Sequence, residues 1–545
     1  MSETSSTILT LDGLGVRLPA GADRPQALSG VSLSIAANEI LCVVGESGSG
    51  KSMMANAIMR LLPEGVSIDA GRVLFEGRDL ARASAAEMRA VRGAGIAMIF
   101  QEPMTALNPL RTIGDQIGEM FSIHTRLSRA AIRTKVLALL EDVRIPDPNA
   151  AARAFPHELS GGQRQRAMIA MAMALEPRVL IADEPTTALD VTTQAQILAL
   201  IRDLQQRKKT AVLFITHDFG VVAEIADRVA VMQHGSIVEL GGAASVLNHP
   251  QHPYTRQLIA AVPPLTAAPA RQLSDDIILS IDNVSKTYRT GGFLGRRARV
   301  TPAVKNVCLK LPRGATLGIV GESGSGKSTL ARCLVRLIDP DKGSIVLEGK
   351  DWAKMTREEV RRETRHIQMV FQDPFSSLNP RRKAADLVAQ GPIVHGTPPA
   401  KAIAEAKELF ALVGLDPSAC DRFPHEFSGG QRQRIGLARA LALHPEVLVA
   451  DEAVSALDVS VQAQVLQLLA GLRARLGLSI VFITHDLRVA AQICDLVAVM
   501  KDGEVVEHGL AGDVFGRPQH PYTRALVDSI PGGDFARQRE ATLLA

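Results

Sequence analysis

The stretch GESGSGKS occurs twice, letter for letter, at Gly45–Ser52 and at Gly321–Ser328. Glycines and small serines let backbone N–H groups converge on an anion, and a helix starting directly after the loop adds the positive end of its dipole. Both copies sit in that context. The apolar runs Ile40–Val44 and Thr316–Val320 read as buried strands feeding each loop, and Met53–Leu62 and Thr329–Ile338 read as the helices that follow. Each copy is therefore expected to hold phosphates: Gly45, Ser47, Gly48, Ser49, Gly50, Lys51 and Ser52 in the first, and Gly321, Ser323, Gly324, Ser325, Gly326, Lys327, Ser328 and Thr329 in the second.

The repetition runs far beyond the loop. The alternating segment Ile8–Leu11 matches Ile277–Ile281, and Ala27–Val31 matches Ala303–Val307. Ile99–Pro103 then matches Val370–Pro374, Leu159–Gln163 matches Phe427–Gln431, and Val179–Glu184 matches Val447–Glu452. Phe214–Asp218 matches Phe482–Asp486, and the phrase HPYTR closes each series at His252–Arg256 and His520–Arg524. The seam is the Pro/Ala-rich stretch Val262–Ala270, followed by mostly polar residues to Asp276. We read a first domain over residues 1–265, a linker over 266–276 and a second domain over 277–545.

At 545 residues the chain is too long for one ordinary domain. Hydrophobic residues at 46% and charged residues at 22% suit a globular protein with a full core. A net charge of +4 lacks the basic footprint of a nucleic-acid binder, so no nucleic-acid partner is expected. The short basic runs Arg207–Lys209 and Arg296–Arg299 read as solvated faces. Five cysteines without a CxxC pair argue against disulfides, zinc and an iron–sulfur cluster, and for a reducing compartment. The start MSETSSTILTLDG has no basic and apolar signal-peptide pattern, and nowhere do about 18 apolar residues run together. A soluble or peripheral cytoplasmic protein is expected.

The other repeated motifs complete a nucleotide chemistry. Lys51 and Lys327 can reach β- and γ-phosphates, and Ser52 and Ser328 can ligate Mg²⁺. Asp183 and Asp451 end apolar strands, where a carboxylate can hold the ion's shell; the next residues, Glu184 and Glu452, can polarise the attacking water as general bases. His217 and His485 each follow an Ile-Thr strand end and can contact the γ-phosphate, holding base and water in line. Gln101 and Gln372 offer a neutral amide that can ligate Mg²⁺ and swing away, as a sensor of bound γ-phosphate must. Ser160-Gly161-Gly162-Gln163 and Ser428-Gly429-Gly430-Gln431 open helices and form a second type of anion site. A lone phosphate loop does not need one. A pair of domains does, if each closes the other's nucleotide.

Taken together these motifs resemble the ABC ATPase family over nearly the whole chain. The phosphate loop, glutamine loop, LSGGQ signature, Asp-Glu pair, Ala-Leu-Asp loop (Ala188–Asp190, Ala456–Asp458) and histidine occur in order, twice. The resemblance implies an α/β fold of two tandem P-loop NTPase domains, each a RecA-like core with a helical signature subdomain. It also implies a head-to-tail sandwich in which Lys51, Gln101, Glu184 and His217 pair with Ser428–Gln431, and Lys327, Gln372, Glu452 and His485 with Ser160–Gln163. The segments Met104–Pro109 and Phe375–Pro380 and the HPYTR phrases are similar to the oligopeptide/dipeptide/nickel importers, in the fused form of the single-chain ATPases of glutathione and microcin C/peptide importers.

That resemblance implies ATP and Mg²⁺ as ligands. It further implies two membrane permeases docking through coupling helices, a periplasmic solute-binding protein, and a place at the cytoplasmic face of the bacterial inner membrane. Peptides lead among the cargoes, with glutathione, opines and nickel as alternatives. A soluble twin-ABC protein working on ribosomes or DNA is the competing reading. The short Pro/Ala-rich seam and the absence of CxxC modules argue against it.

The chain departs from the family pattern in four places. Phe427 replaces the signature leucine, and no cysteine follows either HPY phrase, so no iron–sulfur cluster is expected. Ala453 stands where the first half has Pro185, which is expected to loosen the turn after Glu452. Leu18 stands where the second half has Tyr288, a ring positioned to stack on adenine.

Overall fold

The computed structural model describes residues 7–22, 24–187, 189–267, 269, 271–290, 299–373, 377–455 and 457–533. Ala188 and Ala456 of the Ala-Leu-Asp loops, Phe375 and Ser376, linker residues Ala268 and Ala270, and most of the basic run 296–299 lie outside them.

The described residues divide into two compact units, one covering those up to Val262 together with Pro531–Gly533, the other those from Pro263 to Ile530. The stretch expected as a linker is anchored on the second unit. Arg271 grips Asp495 with two hydrogen bonds of 3.0 and 2.7 Å, and Leu273 packs against that unit's core.

In the first unit, β1 (Thr7–Arg17), β2 (Gln26–Ala36), β4 (Ser67–Phe75) and β5 (Arg78–Asp79) form a four-stranded sheet in the order β2-β1-β4-β5. Its pairings are antiparallel. A second sheet holds β3 (Ile40–Val44), β6 (Ile96–Ile99), β7 (Val179–Asp183), β8 (Ala211–Thr216), β9 (Arg228–Gln233) and β10 (Ser236–Gly242), ordered β10-β9-β3-β8-β7-β6. All its pairings are parallel except β9–β10. β3 and β7 are buried along their whole length, as parallel strands covered on both faces must be, and hence read as unbroken apolar runs.

The second unit repeats this. β11 (Ile277–Thr290), β12 (Arg299–Pro312), β14 (Lys342–Leu347) and β15 (Lys350–Asp351) are ordered β12-β11-β14-β15. β13 (Thr316–Val320), β16 (Ile367–Val370), β17 (Val447–Asp451), β18 (Ser479–Ile483), β19 (Leu496–Lys501) and β20 (Glu504–Leu510) are ordered β16-β17-β18-β13-β19-β20. In each unit a group of helices lies beyond the edge strand, including Ile113–His124, Arg129–Asp142 and Gly161–Met173 in the first and Ala384–Val394, Pro399–Leu412 and Gly429–Leu441 in the second. Ile117, Phe121, Val136, Leu140 and Met168 tie the first group to the sheet's core.

Two expectations shift. The phosphate-loop helices start earlier and end sooner than their apolar pattern implies, at Lys51–Met59 and Lys327–Leu334. The lysines themselves open the helices, and Arg60 ends the first one in the left-handed conformation. The opening strands are also far longer than Ile8–Leu11 and Ile277–Ile281, because register shifts near Gly13 and Asn283 interrupt the alternation without ending the pairing.

Candidate active site

Because β3, β6, β7 and β8 run parallel, their carboxyl ends share one edge of the sheet, the place where open α/β sheets bind ligands. The phosphate loop follows β3, Gln101 follows β6, Asp183 ends β7, and His217 follows β8. β13, β16, β17 and β18 deliver the second set in the same way.

The loop's shape is enforced by crowding. Gly50 and Gly326 have φ of 107° and 105°, a conformation that side chains resist. A Cβ there would also lie 2.9 Å from the Ala27 carbonyl oxygen and 2.1 Å from that of Ala303. Lys51 is buried, and its Nζ donates to the carbonyls of Gly45 (2.7 Å) and Glu46 (2.9 Å). Lys327 does the same to Gly321 (2.8 Å) and Glu322 (2.7 Å). Ser52 Oγ donates to Asp183 Oδ1 and Ser328 Oγ to Asp451 Oδ1, both at 3.0 Å.

The two glutamates are the centres of the networks. Glu184 Oε2 accepts from Gln101 Nε2 at 3.1 Å and lies 3.3 Å from His217 Nδ1. Glu452 Oε2 accepts from Gln372 Nε2 at 2.7 Å and lies 3.3 Å from His485 Nδ1. Both glutamates have left-handed backbones, φ 46° and 49°, a strain of the kind that clusters at functional sites. Burial pushes the Asp183 carboxyl up to about 6, the Ser52 hydroxyl opposes this, and the charge of Glu184 adds to it. Burial works the same way on Glu184, but His217 and Lys51 outweigh it and hold that carboxyl down at about 2. Asp451 is likewise raised, chiefly by burial, and Glu452 lowered by His485 against its burial. His485 is raised: burial opposes its charge, but the Glu452 carboxylate prevails.

Within each half the structure thus joins phosphate loop, serine–aspartate pair, glutamine, glutamate and histidine. Hydroxyl and carboxylate oxygens paired at 3.0 Å are a donor set that fits Mg²⁺. The signatures form separate helix starts. Ser160 and Ser428 are N-caps whose hydroxyls accept from the Gln163 and Gln431 N–H groups at 3.3 Å, while those glutamines reach back to the serine N–H groups. Gly162 and Gly430 allow the following helix to pack closely: a Cβ would meet Thr193 Cγ2 at 2.7 Å and Val461 Cγ1 at 2.5 Å.

The turn at Ala453 keeps the hydrogen bonds of its counterpart in the first half. Ala453 is buried, the Glu452 N–H donates to the Ile483 carbonyl at 2.9 Å, and Ser455 N–H closes the turn on the Glu452 carbonyl at 3.2 Å. In the first half the same bonds measure 3.0 and 3.4 Å. Tyr288 lies half-buried within β11, opposite Thr301, whereas Leu18 falls just past the end of β1 and packs on the sheet core.

Sequence reasoning missed five contacts. Thr187 Oγ1 donates to Glu184 Oε2 at 2.9 Å, while Ser455 Oγ turns instead to the Glu452 carbonyl at 3.0 Å. Arg24 Nη2 donates to the Gly48 carbonyl at the tip of the first loop, 2.6 Å away. The hydroxyls of Tyr254 and Tyr522 reach the loops from the HPYTR phrases. A further group, Glu348, His366 and Glu446, could hold a cation in the second half. It lies at the opposite ends of β16 and β17 from the phosphate site, and at its counterpart in the first half Arg178 pairs with Glu76 at 3.5 Å.

Two phosphate-loop ATPase sites in tandem define a twin nucleotide-binding protein. The comparisons with known proteins say which kind. The ABC transporter family model matches residues 28–187 and 304–455, and the oligopeptide/dipeptide transporter C-terminal region matches residues 238–283 and 506–543. The chain is 45% identical over 573 residues to the glutathione import ATP-binding protein GsiA of Shigella boydii serotype 4 (strain Sb227), covering 99% of this chain and 92% of that one. Identity and coverage are the same for the protein of that name from Escherichia coli (strain K12). The chain belongs to the ABC transporter family and is a twin-domain ATPase of that family.

Proposed function

We propose that the chain hydrolyses ATP at two sites to drive a multi-subunit importer for peptides or peptide-like solutes. The observation that carries the chemistry is the shared carboxylate oxygen: in each half one glutamate oxygen is held by both the glutamine and the histidine. Such a carboxylate is oriented to accept a proton from water attacking the γ-phosphate, and the histidine stabilises its placement. Lys51 and Lys327 leave the loop carbonyls for the phosphates. Ser52, Gln101 and Asp183, and Ser328, Gln372 and Asp451, would hold Mg²⁺, which when bound neutralises phosphate charge. Ser160–Gln163 and Ser428–Gln431 serve as anion-facing helix starts that complete the nucleotide sites. Tyr288 supplies the adenine platform of the second half.

Cargo and direction come from the relatives named for glutathione import and from the transporter C-terminal regions. Among the described residues no helix is long and apolar enough to cross a membrane, so the solute's path belongs to separate permeases. Phe100, Met104 and Leu110, exposed to 37, 51 and 85%, flank Gln101 and support docking of a permease's coupling helix there. The protein then works at the cytoplasmic face of a bacterial inner membrane, supplied by a periplasmic solute-binding protein. We read residues 1–265 and 277–545 as its two functional domains.

The test is reconstitution in liposomes with candidate permeases and a solute-binding protein from the same organism. ATPase activity should rise with the permeases present and rise again with glutathione or short peptides. Stimulation by ribosomes or DNA, with none from permeases, would favour the competing reading.

A further inference from the structure

The HPYTR phrases share one hydrogen-bond pattern in both halves, and in each a tyrosine reaches the phosphate loop. Glu239 on β10 accepts the N–H groups of Gln251 (2.8 Å) and His252 (3.0 Å), and Glu507 on β20 accepts those of Gln519 (2.8 Å) and His520 (3.0 Å). The two histidines then cap the helices Pro253–Ala261 and Pro521–Asp528, their Nδ1 atoms accepting the N–H of Tyr254 at 3.2 Å and of Tyr522 at 3.1 Å. Proline at the first helical position sacrifices no hydrogen bond. Thr255 and Thr523 are buried beneath, with 0 and 1% exposure. Capped in this way, each helix start carries a tyrosine whose hydroxyl points in the same direction in both halves.

That direction is the second residue of the phosphate loop. Tyr254 Oη accepts the backbone N–H of Glu46 at 3.2 Å and donates to the Glu46 carboxylate at 3.3 Å. Tyr522 Oη accepts the backbone N–H of Glu322, also at 3.2 Å. The same loop residues hold the catalytic lysines through their carbonyls. Glu46 and Glu322 are thus fixed at the N–H by a tyrosine some 200 residues away and engaged at the C=O by the lysine that must reach the phosphates. The ring surroundings differ: Lys501 Nζ lies 4.7 Å from the centre of the Tyr522 ring, and Gln233 stands at that position in the first half. The hydroxyl contact is what the two halves share.

We propose that Tyr254 and Tyr522 are positioning residues for the phosphate loops. Their hydroxyls hold the first turn of each loop in the shape that receives nucleotide, so the C-terminal region of each half bears directly on ATP affinity. The inference rests on the reading of these loops as nucleotide sites.

The full chain tests it with Tyr254→Phe and Tyr522→Phe, which keep the ring and remove the acceptor. Each is placed beside Lys327→Ala or Lys51→Ala, respectively, so that only the altered site is read. Losing one hydrogen bond that orders the loop should weaken binding of a fluorescent ATP analogue about three- to tenfold. KM for ATP should rise by the same factor while kcat holds and the melting temperature stays that of the parent. Hydrogen exchange at the Glu46 or Glu322 amide should quicken in the matching variant, a readout that needs no activity. Phe variants with parental ATP affinity and unchanged amide exchange would overturn the proposal and leave the rings as core packing. A Lys51→Ala, Lys327→Ala double variant that binds ATP like the wild type would instead overturn the nucleotide-site reading itself.

Discussion

The two halves match in the serine–aspartate and glutamate–histidine geometry and differ in the contacts around it. Around the glutamates the serine–aspartate bonds agree at 3.0 Å and the histidine distances at 3.3 Å. Away from them the halves have diverged. Tyr288 lies half-buried within β11 where Leu18 packs on the first sheet's core just past β1, and Glu348, His366 and Glu446 gather where Glu76 and Arg178 form an ion pair. The difference teaches that a substitution matters by what it removes from the network rather than by how far it departs from the family pattern. Pro185 and Ala453 occupy the turn directly after Glu184 and Glu452, yet the same two hydrogen bonds close both turns.

The comparison can be tested in steps. The largest effect should come from removing both bases at once. Glu184→Gln with Glu452→Gln should cut steady-state ATP hydrolysis by on the order of a hundredfold or more while leaving ATP binding intact, since only the proton acceptor is lost. An equilibrium binding assay beside the turnover assay separates the two.

A smaller effect should test the proposed difference in adenine binding. Base–aromatic stacking is typically worth ~1–3 kcal/mol, so Tyr288→Ala should weaken ATP at the second site about tenfold or more, read with Lys51→Ala silencing the first. Leu18→Ala, read with Lys327→Ala, should do little. Equal affinities unchanged by either substitution would erase this asymmetry.

The hydroxyls beside the glutamates sharpen the comparison further. Thr187 touches the Glu184 carboxylate itself, whereas the Ser455 hydroxyl bonds a backbone carbonyl. Thr187→Ala should slow single-turnover hydrolysis at the first site by about three- to tenfold, the net worth of one ordinary hydrogen bond. Ser455→Ala should leave the second site's rate nearly unchanged. The smallest effect is expected from Ala453→Pro. With the turn already closed, it should change ATPase by less than about tenfold, or roughly 1.4 kcal/mol in barrier.

Much of this was legible in the chain itself, for physical reasons. Buried parallel strands leave unbroken apolar runs, and a loop that wraps phosphate needs glycine at fixed places, so β3, β7 and both phosphate loops could be placed from sequence. β1 and β11 were underestimated because bulges break the period-two pattern that marks a strand. The tyrosine contacts left no local trace. Tyr254 and Glu46 are 208 residues apart, and only the fold brings the tyrosine of a helix after β10 to the loop after β3. Thr187 and Ser455 look interchangeable as letters, but their hydroxyls choose different acceptors.

The central claim is that both halves are working catalytic sites. It is tested most directly by the ATPase activity of Glu184→Gln and Glu452→Gln, each alone, in the transporter assembled with its permeases. Two equivalent networks predict that each substitution lowers turnover substantially and by a similar factor, within about threefold of one another, because each removes the same general base. Wild-type turnover in the Glu452→Gln variant, with the loss confined to Glu184→Gln, would contradict the claim and leave one half as a binding site only.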